Sequence, residues 1–190
     1  MAYNNTEIEM KFPLTATLFN RIEAKLKSNS KFINESHQVD RYYNAPHRDF
    51  LAPLYAFEYL RVREKESEGS INYKHLYPEE VEEKTHSDEY ETVVRDTTAI
   101  KNILNVLNFK EYLVIDKTRK TYEYKDEFEI ALDEVKDLGY FIEIEARKDL
   151  GNVEQTREKI ISFAKLLGVD TTVRNKDGYV LAMLKKKGLK

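Results

Sequence analysis

The sequence has 190 residues, of which 41% are hydrophobic and 34% are charged. This length and apolar content suffice for one domain with a sizeable core and exclude a disordered chain. A net charge of -3 gives no argument for a nucleic-acid binder, and the lack of cysteine excludes disulfides, thiolate catalysis and zinc-thiolate sites. Because there is no run of about 18 apolar residues and no secretion signal, we expect a soluble protein of the reducing cytoplasm, without a membrane partner.

The first predicted element is a strand over Thr6–Phe12, in which charged and apolar residues alternate. Side chains two residues apart share one face of a strand, so Glu7, Glu9 and Lys11 stand together on the face opposite the apolar residues. Two carboxylates and an ammonium on one face fit a surface ion pair. They equally fit one half of a site for a metal ion and the phosphates that it neutralises.

The next predicted element is a helix of about three to four turns, in which Leu18, Ile22 and Leu26 recur every four positions, and a series of alternating strands follows it. We predict strands over Gln38–Asn44, Phe57–Lys65, Ile71–Leu76 and Asp88–Arg95, with an exposed loop over Tyr77–Ser87. Asp96-Thr97-Thr98 supplies N-cap candidates for a second helix, whose apolar stripe contains Ile100, Ile103, Leu104 and Leu107.

In the second half of the chain, alternation of polar and apolar residues predicts three more strands, over Phe109–Tyr124, Phe128–Val135 and Tyr140–Arg147. Turn signals between them indicate hairpins. A helix over Val153–Leu167, stopped by Gly168, and a last helix over Tyr179–Lys187 follow. A count of about eight strands and four helices, with most strands joined by short turns, predicts an antiparallel α+β fold.

Like charges recur in pairs on single faces of these strands. The pairs are Glu7 with Glu9, Arg61 with Arg63, Lys117 with Arg119, and Glu143 with Glu145. An open sheet with its polar face in water explains each strand taken alone. Neighbouring like charges are nevertheless costly unless groups of the opposite sign lie between them. Closing the sheet into a barrel with its ionic faces inward would suit a metal-bound polyphosphate, and periodicity alone leaves both arrangements open.

The ordered series of charged motifs resembles a known family. Glu7-Ile8-Glu9-Met10-Lys11 matches an N-terminal ExExK signature, and six further motifs follow in order. These are Leu60-Arg61-Val62-Arg63, Asn72-Tyr73-Lys74, Glu89-Tyr90-Glu91, Lys117-Thr118-Arg119-Lys120, Leu132-Asp133-Glu134-Val135 and the segment from Leu138 to Glu145. Together they resemble the CYTH superfamily of triphosphate tunnel metalloenzymes, which includes class IV adenylyl cyclases, thiamine triphosphatases and inorganic triphosphatases.

The resemblance implies an α+β fold with an eight-stranded antiparallel closed barrel, or tunnel, helices packed outside, and one domain over residues 1–190. It implies that carboxylates hold Mg²⁺ or Mn²⁺, namely Glu7, Glu9, Asp133, Glu143 and Glu145. It implies that cations bind the triphosphate, namely Lys11, Arg61, Arg63, Lys74, Lys117 and Arg119. Of these cations, the resemblance implies a catalytic role for Lys11, Arg61, Arg63 and Arg119. Glu89, Glu91 and Glu129 could instead pair with the inward cations as structure.

The segments Asp40-Arg41-Tyr42-Tyr43 and Asp133–Glu145 resemble the class IV cyclase branch most, which implies conversion of ATP to cyclic AMP and pyrophosphate. His75-Leu76 departs from the Gly-Pro that often follows the lysine in that branch, and Gly178-Tyr179 matches its C-terminal serine-tyrosine only loosely. Hydrolysis of thiamine triphosphate or tripolyphosphate is therefore the alternative. Because no nucleophile or general-base histidine is obvious, a third interpretation is a non-catalytic module that binds polyphosphate or nucleotide. The implied partner is a small-molecule triphosphate, and a homodimer is compatible with each interpretation.

Overall fold

The computed structural model describes residues 6–66, 68–79, 81–148, 150–174 and 178–189. Within these residues the chain forms nine strands and four α-helices. The strands are β1 (Thr6–Glu7), β2 (Glu9–Leu14), β3 (Lys31–Asn44), β4 (Glu58–Lys65), β5 (Gly69–Tyr77), β6 (His86–Val94), β7 (Lys110–Tyr124), β8 (Phe128–Val135) and β9 (Gly139–Ala146). The helices are α1 (Ala16–Asn29), α2 (Thr97–Val106), α3 (Val153–Leu167) and α4 (Gly178–Lys186).

The strands form one sheet in the order β1-β6-β5-β4-β3-β7-β8-β9-β2. Strand pairs such as β4 with β5 and β8 with β9 are antiparallel. The two ends of the order, β1 and β2, are separated along the chain by Ile8 alone. This is the strand order of a nearly closed antiparallel barrel, so the predicted α+β fold class is confirmed. The predicted count of eight strands becomes nine, because the predicted strand Thr6–Phe12 changes its pairing partner at Ile8.

Two predicted boundaries differ from the structure. β3 begins at Lys31, well before the predicted start at Gln38. Its first half lacks alternation, because Phe32 and Ile33 are consecutive and both are exposed. β5 and β6 also extend into the predicted loop, which is limited to residues 78–85.

The described residues divide into two compact units. Unit 1 contains Thr6 and His37–Asp116, and unit 2 contains Glu7–Ser36 and the chain from Lys117 onward. The division falls inside β3 and β7, which contribute residues to both units. The prediction of one domain across residues 1–190 stays a prediction.

Each unit has its own apolar core. In unit 1, Val62 and Tyr43 pack with Leu104 of α2. The larger core of unit 2 joins α1, α3 and the sheet, and it includes Phe12, Ile22, Leu26, Ile130, Leu132, Ile142, Ile144, Ile160 and Phe163. Burying each such side chain stabilises the fold by about 1.5–3 kcal/mol. Because the apolar residues of β2, β8 and β9 face α1 and α3, residues of the other parity lie on the opposite face.

The helices begin and end where the sequence provides caps. Thr15 accepts a hydrogen bond from the Leu18 backbone N–H at 3.2 Å, and Asp96 accepts one from Ala99 at 2.9 Å. α3 ends at Gly168, as predicted, with the glycine in the left-handed conformation at φ +90°. None of the helices in the described ranges is long and apolar enough to span a membrane.

Candidate functional site

The register of unit 2 brings predicted cations and carboxylates face to face. Lys11 of β2 lies opposite Glu143 of β9, and Arg119 of β7 lies opposite Asp133 of β8. Lys117 shares the parity of Arg119 and also contacts Asp133, with its Nζ at 3.6 Å from Oδ2. We call these five residues, Lys11, Lys117, Arg119, Asp133 and Glu143, the unit 2 cluster. The family resemblance implied a site role for each of them, and the register shows which residues lie opposite one another.

Arg119 and Asp133 form a bidentate pair at the centre of the cluster. Arg119 donates from Nε to Oδ1 at 2.7 Å and from Nη2 to Oδ2 at 2.6 Å. Nη2 also lies 3.1 Å from Oε1 of Glu143. Asp133 is fully buried, so this planar fork holds the guanidinium in one orientation. The remaining nitrogen, Nη1, donates no hydrogen bond to any residue that the structure describes. Two N–H donors of Arg119 are therefore in place for an anion.

The contacts of the cluster leave an excess of positive charge. Lys11 pairs closely with Glu143, and Lys117 with Asp133. The cluster therefore contains three cations and two carboxylates, all buried or nearly so. Among these five residues the positive charges exceed the negative ones by one, and the charge of Glu9 also acts on Lys11. Phosphate oxygens beside the three cations would be attracted strongly, since charge is screened less there than in water.

The electrostatics of the cluster favour the ionised forms of its two carboxylates and of Lys11. Burial by itself would raise the pKa of Glu143, but the charges of Arg119 and Lys11 outweigh it and hold this pKa well below its usual range. The pKa of Asp133 is likewise lowered, because Arg119 and Lys117 outweigh burial. Burial would lower the pKa of Lys11, and the nearby charges of Glu143 and Glu9 raise it instead. Lys11 and Arg119 are therefore protonated, and both carboxylates are deprotonated, at neutral pH.

Tyr179 covers the cluster, and the sequence did not identify it as a functional residue. This residue of α4 is only 6% exposed, and its hydroxyl donates to Oδ2 of Asp133 at 2.8 Å. Its ring centroid lies 4.3 Å from Nζ of Lys11 and 5.3 Å from Nζ of Lys117. The loose match of Gly178-Tyr179 to the cyclase branch was the only signal in the sequence. A single tyrosine thus contacts three members of the cluster.

A row of carboxylates adjoins the cluster on the same strands. Glu145 of β9 lies opposite Glu9 of β2 on one side and opposite Glu129 of β8 on the other. Like charges placed directly across a ladder repel, and a bound cation would relieve this repulsion. Glu7 is half-buried in β1, and its role as a metal ligand stays a prediction.

The row of Glu9, Glu145 and Glu129 suits a divalent ion that is also coordinated by ligands from outside the protein. Among the described side chains, no group of three His, Asp or Glu converges closely enough to enclose a metal. Mg²⁺, however, is commonly held by one or two carboxylates together with substrate phosphates and water. Glu9 and Glu145, which lie opposite each other on β2 and β9, supply such a pair of hard oxygen donors.

Unit 1 carries a second charged group, which we describe by itself. Arg63 donates from Nε and Nη2 to the two oxygens of Asp40, at 2.6 and 2.7 Å, and both residues are buried. Its neighbour Arg61 is held less closely, at 3.4 Å from both Glu89 and Glu91 and 3.9 Å from Asp40. The Nε of Arg61 is buried without a hydrogen-bond partner among the described residues. The two predicted phosphate-binding arginines therefore have different surroundings.

The glutamates of β6 pair with cations, as one interpretation of the sequence expected. Lys74 lies 2.9 Å from Glu89, and Asn72 donates to both Glu89 and Glu91. These carboxylates thus neutralise Arg61 and Lys74 within unit 1. Glu129 differs, because its carboxylate lies 3.8 Å from Arg147, a cation outside the predicted set.

Comparison with known proteins identifies the family. Residues 5–179 match the sequence model of the CYTH domain. A candidate adenylate cyclase of Methanocaldococcus jannaschii is 30% identical over 165 residues, which are 86% of this chain and 90% of the relative. A solved structure from Pyrococcus horikoshii is 29% identical, with a TM-score of 0.78 over 95% of this chain and 99% of that one.

A more distant solved structure shows the fold alone. It is a Hippeastrum protein described as a candidate adenylyl cyclase with a dominant triphosphatase activity. It is 16% identical, with a TM-score of 0.64, and covers 96% of this chain and 95% of its own. The family match extends over nearly the whole chain, and the ordered motifs fall on the paired strands described above. The chain therefore belongs to the CYTH domain family.

Proposed function

We propose that this protein is a divalent-metal-dependent enzyme that acts on a triphosphate, and that it converts ATP to cyclic AMP and pyrophosphate. One observation carries the proposal. On the same face of β2 and β9, the cations of the unit 2 cluster adjoin the carboxylates of Glu9 and Glu145. An anion suits the first and a cation suits the second, and a metal-bound polyphosphate carries both.

In unit 2 the cations and the carboxylates would bind different parts of a metal-bound triphosphate. Nη1 of Arg119 and the ammonium groups of Lys11 and Lys117 would bind phosphate oxygens. Asp133 holds Arg119 in the orientation that this requires. Glu9 and Glu145 would hold Mg²⁺ or Mn²⁺, and an ion bound there would neutralise phosphate charge and stabilise the departing pyrophosphate. Arg61, Arg63 and Lys74 of unit 1 remain predicted phosphate ligands on the strength of their motifs.

The chemistry needs orientation and charge neutralisation more than a reactive side chain. In cyclisation the ribose 3′-oxygen forms a bond to the α-phosphorus, the bond from that phosphorus to the oxygen bridging the β-phosphate breaks, pyrophosphate leaves, and the hydroxyl proton passes to water. Fixed cations on the phosphates stabilise the charge that develops on the leaving group. The name of the Methanocaldococcus relative supports this reaction.

Hydrolysis is a second candidate, because the same cations would present a terminal phosphate to water. The triphosphatase activity named for the Hippeastrum protein, which shares this fold, supports this candidate. Thiamine triphosphate and tripolyphosphate are the substrates to compare with ATP. Which phosphorus meets the nucleophile distinguishes the two reactions.

Product identification tests the proposal. The protein is incubated with ATP, thiamine triphosphate or tripolyphosphate, with Mg²⁺ or Mn²⁺, and the products are separated and identified. Cyclic AMP with pyrophosphate supports cyclisation, whereas ADP or another diphosphate with orthophosphate supports hydrolysis. Metal-dependent binding without any product would instead support a binding module. No binding of any of the three triphosphates would overturn the proposal.

Two variants connect the activity to the site. Arg119→Lys keeps the positive charge but loses the planar fork to Asp133, so we expect kcat/KM to fall by about tenfold or more. Arg21→Lys makes the same change on the exposed side of α1 and is the matched control. Equal activity in both variants would remove Arg119 from the site.

A further inference from the structure

We propose that Tyr179 is a positioning residue of the unit 2 cluster. Its hydroxyl fixes Asp133, and its ring fixes the ammonium groups of Lys11 and Lys117 for phosphate binding. The inference rests on the proposed function, because it assigns Tyr179 a part in holding the cations that bind the triphosphate.

The hydroxyl acts on one carboxylate oxygen. Oδ2 of Asp133 accepts from Tyr179 at 2.8 Å and from Nη2 of Arg119 at 2.6 Å. Nζ of Lys117 lies farther away, at 3.6 Å from the same oxygen. Without the hydroxyl, Oδ2 loses a donor in a buried site, where an unfilled acceptor is costly. Lys117 is the nearest group that can replace it, and moving onto Asp133 would take its ammonium away from a phosphate.

The ring acts on the two lysines. An aromatic face attracts an ammonium without neutralising its charge, unlike a carboxylate. The Tyr179 ring lies 4.3 Å from Nζ of Lys11 and 5.3 Å from Nζ of Lys117, so it restrains both while leaving them cationic. Two like charges are thereby held near one another, which favours a multiply charged anion between them.

Packing alone would give a different result on substitution. The Tyr179 ring also contacts Phe141 edge-on, with the centroids 5.0 Å apart, so the residue has an apolar role in unit 2. Tyr179→Phe retains that contact and the ring beside the lysines, and it removes only the hydroxyl. If Tyr179 merely filled space, this variant would match the wild type.

Calorimetry with inorganic tripolyphosphate, with and without Mn²⁺, measures the effect on binding. Tyr179→Phe is expected to weaken binding by about tenfold, the usual loss for a hydrogen bond to a charged group. Tyr122→Phe is the matched control, because Tyr122 is a fully buried tyrosine of unit 2 whose hydroxyl has no partner among the described residues. The double variant Tyr179→Phe with Lys117→Met tests whether the Tyr179 hydroxyl acts on binding through Lys117. If Tyr179 acts through Lys117, removing its hydroxyl costs far less in that background.

A second readout does not depend on the proposed function. The Nε–H of Arg119 donates to the carboxylate that Tyr179 holds, so its exchange with water, followed by ¹⁵N NMR, is expected to quicken several-fold in Tyr179→Phe. If the wild type binds tripolyphosphate, equal affinities for Tyr179→Phe and Tyr122→Phe overturn the inference. If the wild type does not bind tripolyphosphate, the proposed function fails. The exchange rate of the Arg119 Nε–H then tests the positioning role of Tyr179 by itself. Unchanged exchange of Arg119 then overturns the positioning role.

Discussion

Glu9 and Glu145 lie directly opposite each other on the antiparallel strands β2 and β9. Glu129 extends the row on the far side of Glu145. Like charges placed directly opposite each other destabilise a sheet, so a divalent cation at this row would stabilise the fold as it binds.

We expect Mn²⁺ to raise the melting temperature of the wild type and to have little effect on Glu145→Gln. Differential scanning calorimetry across a metal titration measures this, because a ligand stabilises by an amount that grows with its concentration relative to its Kd. Glu134→Gln, an exposed position of β8, is the control and should keep the full metal response. An undiminished response in Glu145→Gln would place the metal elsewhere.

The neighbouring arginines of β4 should respond differently to substitution. Arg63→Met leaves Asp40 buried without its bidentate partner, and losing one member of a buried pair costs about 3–5 kcal/mol. Arg61→Met should change the free energy of unfolding far less, since its ion pairs are all 3.4 Å or longer, while weakening triphosphate binding. Urea unfolding and calorimetry measure the two effects. Similar losses of stability in both variants would contradict this difference.

The acid sensitivity of the fold should depend on Glu143. Its pKa is held well below the ordinary 4.5 in the folded protein, because Arg119 and Lys11 outweigh burial. Its stabilising contribution is therefore fully present above about pH 4.5. It is lost progressively as the pH falls further, because the unfolded chain takes up the proton first.

Urea unfolding of the wild type and Glu143→Gln, between about pH 3 and pH 7, tests this dependence. Glu143→Gln should be less stable near neutrality, and its free energy of unfolding should fall less steeply below about pH 4.5. Glu134→Gln should retain the wild-type slope. Parallel curves for the wild type and Glu143→Gln would show that Glu143 does not carry the acid response.

Parity along the strands was enough to predict which side chains share a face. It placed Glu9 with Lys11 and Lys117 with Arg119, and each pair is found on one face of the sheet. Parity carries no information about register, so the pairing of Arg119 with Asp133, and not with another carboxylate, required the structure. The interruption at Ile8 was also invisible, because the alternation of charged and apolar residues continues through it.

Tyr179 was not among the predicted site residues, because the residues that it contacts are distant from it in the sequence. It is separated by 46 residues from Asp133, to which it donates, and by far more from Lys11. Local sequence patterns predict the helix that contains an aromatic residue. They do not predict which distant carboxylate accepts a hydrogen bond from its hydroxyl. The motif likewise predicts the same role for Arg61 and Arg63. Only the structure shows that Arg63 forms a buried bidentate pair, whereas Arg61 makes longer contacts.

The cluster also constrains how the protein is made. Lys11 is near the start of the sequence, its partner Glu143 lies far along it, and the ring beside it belongs to α4. Contacts between such distant residues form late, because a long loop must close before they are gained. A nascent chain therefore exposes Lys11 long before any of these partners has been synthesised. The phosphate-binding site that we propose would form only after Tyr179 has been synthesised. Incomplete chains would therefore not bind cellular nucleotides.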